Sequence, residues 1–170
     1  MAQIGIYGGS FNPIHYGHIG LAEWVVAHTD LDEVWLMVSP NNPLKRADTL
    51  ADEQVRLHEA QRAIAGKANI RVSDFEFQLP RPSYTANTLR ELTRQYPQHV
   101  FTLIIGEDNV PIFNQWRDYT YIQDNFRIFV YPRRGYHMDV PYNTNMHLLQ
   151  DAPYFDISST EIRNNLQVQK

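Results

Sequence analysis

The sequence contains no cysteine among its 170 residues. A disulfide framework, a zinc-thiolate site and a cysteine nucleophile are therefore excluded. The chain also lacks a surplus of positive charge, because 15 lysines and arginines face 19 aspartates and glutamates and give a formal net charge of -4. General attraction to nucleic acid depends on many Lys and Arg contacts to phosphate, so this charge argues against a nucleic-acid partner.

Long apolar runs are missing as well. No stretch approaches the roughly 20 residues that a membrane-spanning helix needs, and the start Met1-Ala2-Gln3 lacks the basic and apolar regions of a secretory signal. We expect a cytoplasmic protein without a membrane partner. A chain of this length suits one domain with a sizeable core and is too short for two ordinary ones, so we expect residues 1–170 to form a single domain.

Five short segments are rich in Ile, Val, Phe, Tyr and Trp and almost continuously apolar, which is typical of strands covered on both faces. They are Gln3 to Tyr7, Glu33 to Ser39, Ile70 to Phe75, Val100 to Ile105 and Arg127 to Tyr131. Segments with helical spacing separate them, at about Gly17 to His28, Asp52 to Ala65, Tyr84 to Tyr96 and Asp108 to Asn125, the last of which leaves a break open. This alternation predicts an α/β fold with an open parallel sheet and helices on both faces, whose ligands bind beyond the carboxyl ends of the strands.

The loop after the first strand carries the strongest functional signal. Gly8 and Gly9 let a phosphate approach the main chain, and Pro13 stiffens the run that follows. His15 and His18 straddle the start of the next helix, where residues three apart share a face. Both imidazoles can therefore meet one anion beside a helix N-terminus, where free N–H groups and the dipole favour negative charge. The conjunction predicts a phosphate site, although each feature alone would more often be structural.

Other nucleotide and metal motifs fit this loop less well. The glycines do not follow the Gly-x-Gly-x-x-Gly spacing of a dinucleotide site, and the second strand ends in Ser39-Pro40 instead of an acidic ribose ligand. The sequence has no Gly-x-x-x-x-Gly-Lys-Ser/Thr loop, so a P-loop enzyme is disfavoured. Zinc ligation by His15 and His18 lacks a third ligand at a recognisable spacing. We predict that the protein has no metal site of its own.

A second pattern lies near the end of the sequence. Ser158, followed three residues later by Glu161, forms a capping-box pattern that predicts the start of a helix with free N–H groups. Ser159 and Thr160 supply hydroxyls, and Arg163 supplies a guanidinium one turn further on. These donors suit the outer phosphates of a nucleotide.

The two patterns together resemble the nucleotidylyltransferase superfamily. Gly8 to Pro13, followed by His15-Tyr16-Gly17-His18, is similar to its His-x-Gly-His signature after strand one, and Ile157 to Arg163 is similar to its Ile-Ser-Ser-Thr-x-Ile-Arg motif. The resemblance spans nearly the whole chain and implies a Rossmann-like nucleotidyltransferase fold.

Further segments resemble the nicotinate mononucleotide adenylyltransferase family in particular. They are Ser39 to Lys45, Pro82 to Leu89, Ile104 to Asp108, Trp116 to Tyr119 and Tyr131 to Gly135. This resemblance implies adenylyl transfer from ATP to nicotinate mononucleotide, with magnesium (Mg2+) arriving on ATP. It leaves open another phosphate acceptor, such as nicotinamide mononucleotide or phosphopantetheine, a non-catalytic nucleotide sensor, and assembly into a homo-oligomer.

The resemblance carries over residues for catalysis and for each substrate. The catalytic set is His15, His18, Lys45 and Arg163. The ATP-binding set is Gly8, Gly9, Ser10, Phe11, His15, His18, Gly106, Asp108, Ser158, Ser159, Thr160 and Arg163. The acceptor-binding set is Ser10, Asn41, Lys45, Tyr84, Thr85, Trp116, Arg117 and Arg134.

Some of these residues have specific implied roles. We expect His18 to donate to the α-phosphate and Asp108 to bind a ribose hydroxyl. Thr85 would receive the pyridine carboxylate while the Trp116 ring stacks on the pyridine. The structural alternatives are a core position for Trp116 and a helix-capping role for Asp108. The sequence departs from the family at Leu44, where a histidine often precedes the lysine, and it stops soon after the last motif, as a compact or a shortened member would.

Overall fold

The computed structural model describes residues 1–41, 52–137 and 145–154. Six strands lie within these ranges: β1 (Ala2–Gly9), β2 (Glu33–Val38), β3 (Ile70–Ser73), β4 (His99–Gly106), β5 (Arg127–Tyr131) and β6 (Met146–Leu148). The helices are α1 (Tyr16–His28), α2 (Glu53–Ala63), α3 (Thr85–Gln95) and α4 (Tyr119–Asn125), with 3-10 helices at Phe75–Gln78 and Glu107–Gln115. Strand and helix alternate along the chain, as the sequence predicts.

The bounds of α2 follow from its local sequence. Asp52 is the N-cap, and its carboxylate accepts a hydrogen bond from the Gln54 N–H at 2.7 Å. Gly66 follows the helix with φ +81°, a left-handed conformation that glycine adopts without a Cβ penalty. The predicted stop at Gly66 is therefore confirmed.

All six strands are parallel, in the order β3-β2-β1-β4-β5-β6. The chain winds from β1 towards β3 on one side of the sheet and from β4 towards β6 on the other. The direction of winding thus reverses between β1 and β4. In open sheets of this kind, ligands bind in the crevice beyond the carboxyl ends of the strands at this reversal.

Helices cover both faces of the sheet. On one face, Leu21 of α1 and Leu57 of α2 belong to a buried cluster with residues of β1, β2, β4 and β5. On the other face, Leu89 of α3 and Ile122 of α4 belong to a second cluster with the alternate residues of the strands. Because both faces of each central strand are buried, these strands are almost continuously apolar in the sequence.

The predicted fold is confirmed, apart from the unpredicted strand β6, the length of the third strand and shifts of one or two residues at other strand ends. β6 escapes prediction because three residues are too few to show a period of two. The predicted third strand ran to Phe75, but β3 ends at Ser73, whose hydroxyl accepts from the Phe75 N–H at 3.2 Å and begins a 3-10 helix. The break left open between residues 108 and 125 is present, since a 3-10 helix containing Pro111 precedes α4. Among the helices of the described ranges, none has the length and apolarity to cross a bilayer.

Candidate active site

A cavity of about 250 Å³ lies beyond the carboxyl ends of β1, β2 and β4. Its walls come from these strand ends, the 3-10 helix after β3, the start of α3 and the segment before α4. The lining residues are Ile6, Tyr7, Gly8, Gly9, Met37, Ser39, Glu76, Ser83, Thr85, Thr88, Leu89, Leu103, Ile104, Ile105, Gly106, Asn109, Trp116 and Tyr131. Tyr7, Ser39, Ile105 and Tyr131, which end four of the predicted strands, therefore all line one cavity, where the sequence predicts that ligands bind.

Phe11 fixes the turn that joins β1 to α1. Its backbone is left-handed, with φ +48°, and its side chain is buried. This backbone costs of order 1 kcal/mol for a residue other than glycine, and burial of a whole aromatic ring offsets that cost. The Phe11 ring meets the His18 imidazole edge-on, with centroids 4.8 Å apart. The turn thus holds the start of α1 against the end of β1.

His15 and His18 form a reciprocal cap at the start of α1. The Nδ1 atom of His15 accepts from the Gly17 N–H at 3.0 Å, and the Nδ1 atom of His18 accepts from the His15 N–H at 3.2 Å. The two rings are stacked, with centroids 3.7 Å apart and planes inclined by 20°. The predicted sharing of one helix face is confirmed. The capping role was not predicted, because Ser, Thr, Asp and Asn are the usual N-caps.

The cap also determines where the proton of each imidazole lies. A ring nitrogen that accepts a hydrogen bond is unprotonated, so a neutral ring with Nδ1 in the cap carries its proton on Nε2. Burial, followed by the charges of His15 and Arg133, lowers the pKa of His18 from 6.5 to about 3. His18 is therefore neutral near pH 7 and presents an Nε2–H donor on the side of the ring away from the capped amide.

Two tyrosines connect this cap to the cavity. The Tyr7 and Tyr131 rings are 5.8 Å apart and their hydroxyls share a hydrogen bond. Burial raises the pKa of both hydroxyls, so both stay protonated at neutral pH. The Tyr7 ring also lies 6.1 Å from the His18 ring. A ligand in the cavity and a ligand at the cap would thus lie on either side of Tyr7.

Gly106 leaves room for two site residues at the end of β4. A Cβ added there would lie 2.5 Å from an Asp108 carboxylate oxygen and 3.0 Å from the Tyr131 ring. Asp108 is half-exposed and 3.9 Å from the Arg133 guanidinium. The N-cap of the 3-10 helix is Gly106 and not Asp108. The capping alternative for Asp108 is therefore wrong, and its carboxylate remains a candidate ligand.

The start of α3 and Trp116 form another part of the cavity wall. Thr85 is the first residue of α3, and the Tyr84 side chain makes no capping hydrogen bond to this helix. The N-terminal turn therefore favours an external anion. Trp116 is half-buried, lines the cavity and packs on Phe113 with ring centroids 5.2 Å apart. Next to them, the Arg117 guanidinium lies 4.9 Å from the centre of the Tyr84 ring.

The sequence predicted no role for several polar cavity residues, among them Glu76, Ser83 and Thr88. The Glu76 side chain is buried, with 8% exposed, and its carboxylate accepts from the Thr88 hydroxyl at 2.8 Å. Burial raises the pKa of Glu76 from 4.5 to about 6, against the opposing effect of the Thr88 hydrogen bond. The Ser83 hydroxyl oxygen is buried and has no hydrogen-bond partner within the described part of the chain. Glu76 lies in no recognisable motif, whereas Ser83 and Thr88 lie inside the Pro82 to Leu89 segment that resembles the family.

Most of the predicted site residues fall into three groups, whereas Asp108, Tyr84 and Arg117 lie beside the cavity and are not among its lining residues. Gly8, Gly9, Gly106, Thr85 and Trp116 line the cavity, and the His15 and His18 cap and Phe11 adjoin it through Tyr7. Ser10 and Asn41 lie in the adjoining loops, where they bond to α2, and the Arg134 guanidinium lies 5.4 Å from the Tyr154 ring, outside the cavity lining. Lys45, Ser158, Ser159, Thr160 and Arg163 lie outside the described residues. The roles of all of these residues remain predictions.

The sequence matches the family described as cytidylyltransferase-like over residues 6–165, a span that contains both motifs. Together with the parallel sheet and the capped histidine pair at its switch point, this match defines a nucleotidyltransferase of the cytidylyltransferase-like class.

Relatives within this class are more specific. A Bacteroides fragilis protein named as a probable nicotinate-nucleotide adenylyltransferase is 48% identical over 171 residues, covering 99% of this chain and 84% of the relative. A Flavobacterium johnsoniae protein of the same name is 44% identical over 171 residues, covering 97% and 86%. The chain belongs to the nicotinate-nucleotide adenylyltransferase family, and the predicted resemblance is confirmed.

Solved structures support the fold independently. Plasmodium falciparum nicotinic acid mononucleotide adenylyltransferase complexed with NaAD superposes with a TM-score of 0.81, covering 96% of this chain and 83% of that one at 20% identity. The complex of the same protein with APC gives a TM-score of 0.80 with the same coverage. At this identity the likeness is one of fold, and it confirms the Rossmann-like arrangement.

Proposed function

We propose that this protein transfers the adenylyl group of ATP to nicotinate mononucleotide, giving deamido-NAD and pyrophosphate. One observation carries the proposal: the capped His15 and His18 pair adjoins, through Tyr7, a cavity that Thr85 and Trp116 also line. The cap suits phosphates, and Thr85 and Trp116 suit a flat ring with an anionic substituent. Membership of the nicotinate-nucleotide adenylyltransferase family supports the same activity.

ATP would lie along the end of β1. A side chain at Gly8 would point into open space, so a phosphate can come close to the main chain there. The Nε2–H group of His18 would donate to the α-phosphate, while His15 holds the outer phosphates and Asp108 binds the ribose. The remaining phosphate donors would come from Lys45, Ser158, Ser159, Thr160 and Arg163.

Nicotinate mononucleotide would occupy the cavity. Its carboxylate would meet Thr85 and the first turn of α3, where the helix dipole favours negative charge. Its pyridine ring would stack on Trp116, because a flat indole offers a large contact area to a flat heterocycle. Its phosphate would then face the α-phosphate of ATP at the end of β1.

The reaction needs no protein nucleophile. An oxygen of the acceptor phosphate attacks the α-phosphorus, and a new oxygen-phosphorus bond forms as the bond to the bridging pyrophosphate oxygen breaks. The electron pair of the broken bond leaves with pyrophosphate. The acceptor oxygen is already anionic at neutral pH, so no strong base is required. The protein contributes alignment and fixed donors, among which a neutral, capped His18 needs no reorganisation during the step.

Several expectations accompany this proposal. Magnesium would enter as part of the ATP substrate, held mainly by phosphate and water oxygens. We propose a single domain over residues 1–170 and a cytoplasmic location without a nucleic-acid partner. The molar mass of the full chain in solution, measured by light scattering, would show whether the protein forms a homo-oligomer.

A panel of donors and acceptors tests the proposed function. Pyrophosphate release would be measured with ATP or CTP and with nicotinate mononucleotide, nicotinamide mononucleotide or phosphopantetheine. We expect turnover with ATP and nicotinate mononucleotide to exceed every other combination. Preference for another acceptor would contradict the assigned substrate, and ATP binding without turnover on any acceptor would indicate a sensor.

A further inference from the structure

The first turns of α2 contact three segments that surround the proposed site. Glu53 and Arg56 lie three residues apart on this helix and therefore share one face. Their partners are Ser10 in the loop after β1, Ser39 and Asn41 in the loop after β2, and Arg81 in the segment before α3.

Arg56 joins the first two segments. Its side chain is 1% exposed, which is rare for an arginine unless its donors are paired. One guanidinium nitrogen donates to the Ser10 carbonyl at 2.7 Å and to the Ser39 carbonyl at 2.8 Å, and the other donates to the Asn41 side-chain oxygen at 2.8 Å. The planar, forked guanidinium thus fixes the distance between two chain segments that leave neighbouring strands.

Glu53 extends this connection to the acceptor side. One carboxylate oxygen accepts from the Asn41 N–H at 3.0 Å and from Arg81 at 2.6 Å, and the other accepts from Arg81 at 2.7 Å. This bidentate pair is stronger and more directional than a single surface ion pair. Arg81 lies four residues before Thr85, the first residue of α3. Asn41 is therefore the point where the two halves of the network meet.

We propose that Arg56 and Glu53 are positioning residues that hold the ATP loop and the acceptor segment in register for adenylyl transfer. The inference rests on the proposed function, because it assigns ATP to the Ser10 loop and the acceptor to the Thr85 wall. In-line attack needs the two substrates aligned, and a misplacement of about 1 Å can reduce the rate roughly a hundredfold. Both residues act through loops and touch neither reacting group.

The network has the features of a positioning device and not only of a stabilising one. An arginine that served packing alone could find its acceptors anywhere in the fold. The three acceptors of Arg56 are instead the Ser10 and Ser39 carbonyls and the Asn41 side-chain oxygen, all at the edge of the sheet where the cavity lies. Ser39 lines that cavity directly. The Arg81 side chain is 33% exposed and fills no core, so its bidentate bond to Glu53 serves to place the acceptor segment.

Conservative variants separate the two roles. Arg56→Lys keeps a buried positive charge but replaces the fork with a single ammonium. Arg81→Met breaks the link to the acceptor segment, and Arg81→Lys restores part of it. Each variant would first be checked for folding by circular dichroism and thermal unfolding. Glu91→Gln removes an ion pair with Arg94 on the solvent-facing side of α3 and serves as the control.

Steady-state kinetics and amide exchange would then be measured at a temperature where every variant is folded. We expect Arg56→Lys to lower kcat roughly tenfold to a hundredfold, with the Kd of a non-hydrolysable ATP analogue changed less than about threefold. We expect Arg81→Met to raise KM for the acceptor more than KM for ATP, with partial rescue in Arg81→Lys, and Glu53→Gln to speed exchange of the Asn41 amide.

The failure of the proposed function and the failure of the positioning roles would give different results. Wild-type protein without turnover on any acceptor would overturn the proposed function, while the exchange of the Asn41 amide would still report on the network. If the wild-type protein is active and the folded Arg56→Lys and Arg81→Met variants have the same kcat and KM, the positioning roles would be overturned. Loss of thermal stability with unaltered kcat and KM would overturn them equally, because it is the outcome of a purely structural network.

Discussion

The imidazole rings of His15 and His18 are stacked 3.7 Å apart, and each ring uses its Nδ1 atom to accept an amide hydrogen of the same helix start. Two positive charges at this distance would strongly disfavour each other. In the proposed site the pair would therefore offer phosphates two fixed Nε2–H donors and would not act as two cations. Charge neutralisation in the proposed site would fall to lysine, arginine and magnesium.

Substitution of His18 tests which ring nitrogen matters. His18→Ala should lower turnover roughly a hundredfold to a thousandfold, as expected for loss of one transition-state donor. His18→Gln should retain more activity than His18→Asn, because the Gln amide reaches the Nε2 position and the Asn amide reaches only the Nδ1 position. Pyrophosphate release measures all three, with His28→Ala at the other end of α1 as control. Near-normal turnover in His18→Ala would remove this residue from the mechanism.

The protonation state of His18 can be measured directly. Burial penalises the charged ring, and the charges of His15 and Arg133 add to this effect, so its pKa falls from 6.5 to about 3. In the unfolded chain the ring takes up a proton below 6.5, which means that this group destabilises the fold as pH drops from 6.5 towards 3. We expect the His18 ring resonances in NMR spectra of the free protein to stay constant from pH 8 to pH 5. A titration midpoint between 6 and 7 would be incompatible with the buried cap.

Trp116 should affect the two substrates unequally. Trp116→Ala removes the ring that is proposed to stack on the pyridine, so it should raise KM for nicotinate mononucleotide at least tenfold and change KM for ATP much less. Stacking on an aromatic ring contributes about 1 kcal/mol beyond its buried area, and lost area adds to this. Trp116→Phe should lie between wild type and Ala. Equal weakening of both substrates would argue for a general packing role.

Glu76 should make stability depend on pH. Its folded pKa is raised to about 6 from 4.5, so the folded state holds this proton more tightly than the unfolded state. The contribution is present below pH 4.5 and is lost as pH rises through 6, at about 2 kcal/mol in total. Urea unfolding at pH 4 and pH 7 should show this loss for wild type relative to Glu76→Gln. An identical pH response in the two proteins would mean that the carboxylate is not buried.

Gly8 and Gly106 should respond differently to alanine. The half-exposed Asp108 carboxylate can rotate away from a methyl group at Gly106, but the Tyr131 ring 3.0 Å away is held by the core, so Gly106→Ala should destabilise the protein by about 1 kcal/mol. A methyl group at Gly8 would meet nothing within 4 Å. Gly8→Ala should therefore keep its stability and raise KM for ATP. Thermal unfolding and steady-state kinetics separate the two effects, and a stable Gly106→Ala with unaltered kinetics would contradict the close packing.

The main features of the fold followed from local patterns. All five predicted strands are present, and the central ones are almost continuously apolar because both of their faces are covered. The apolar pattern predicts a third strand that ends two residues later than β3 does, since the Ser73 hydroxyl that begins the 3-10 helix leaves no periodic pattern in the sequence. β6 is too short to show a period at all.

The site was predicted in part. His15 and His18 were found because three-residue spacing at a helix start is a local feature, and Thr85 and Trp116 were found by resemblance to a family. The stacking of the two imidazoles and the capping by their Nδ1 atoms depend on the Phe11 turn and were not predictable. Glu76 reads as an ordinary surface acid in the sequence, and only its burial makes it a cavity residue.

Local patterns were sufficient to predict most of the strands and helices, the loop with two histidines and the family, because each depends on residues close together in the chain or on a recognisable motif. The proposed role of Arg56 and Glu53 could not be predicted in this way. Both are unremarkable polar residues of α2 in the sequence, and their roles arise when parallel strands bring the loops after β1 and β2 to the same edge. Which charged side chains are buried, and which carbonyls they meet there, is a property of packing across the chain and not of any local pattern.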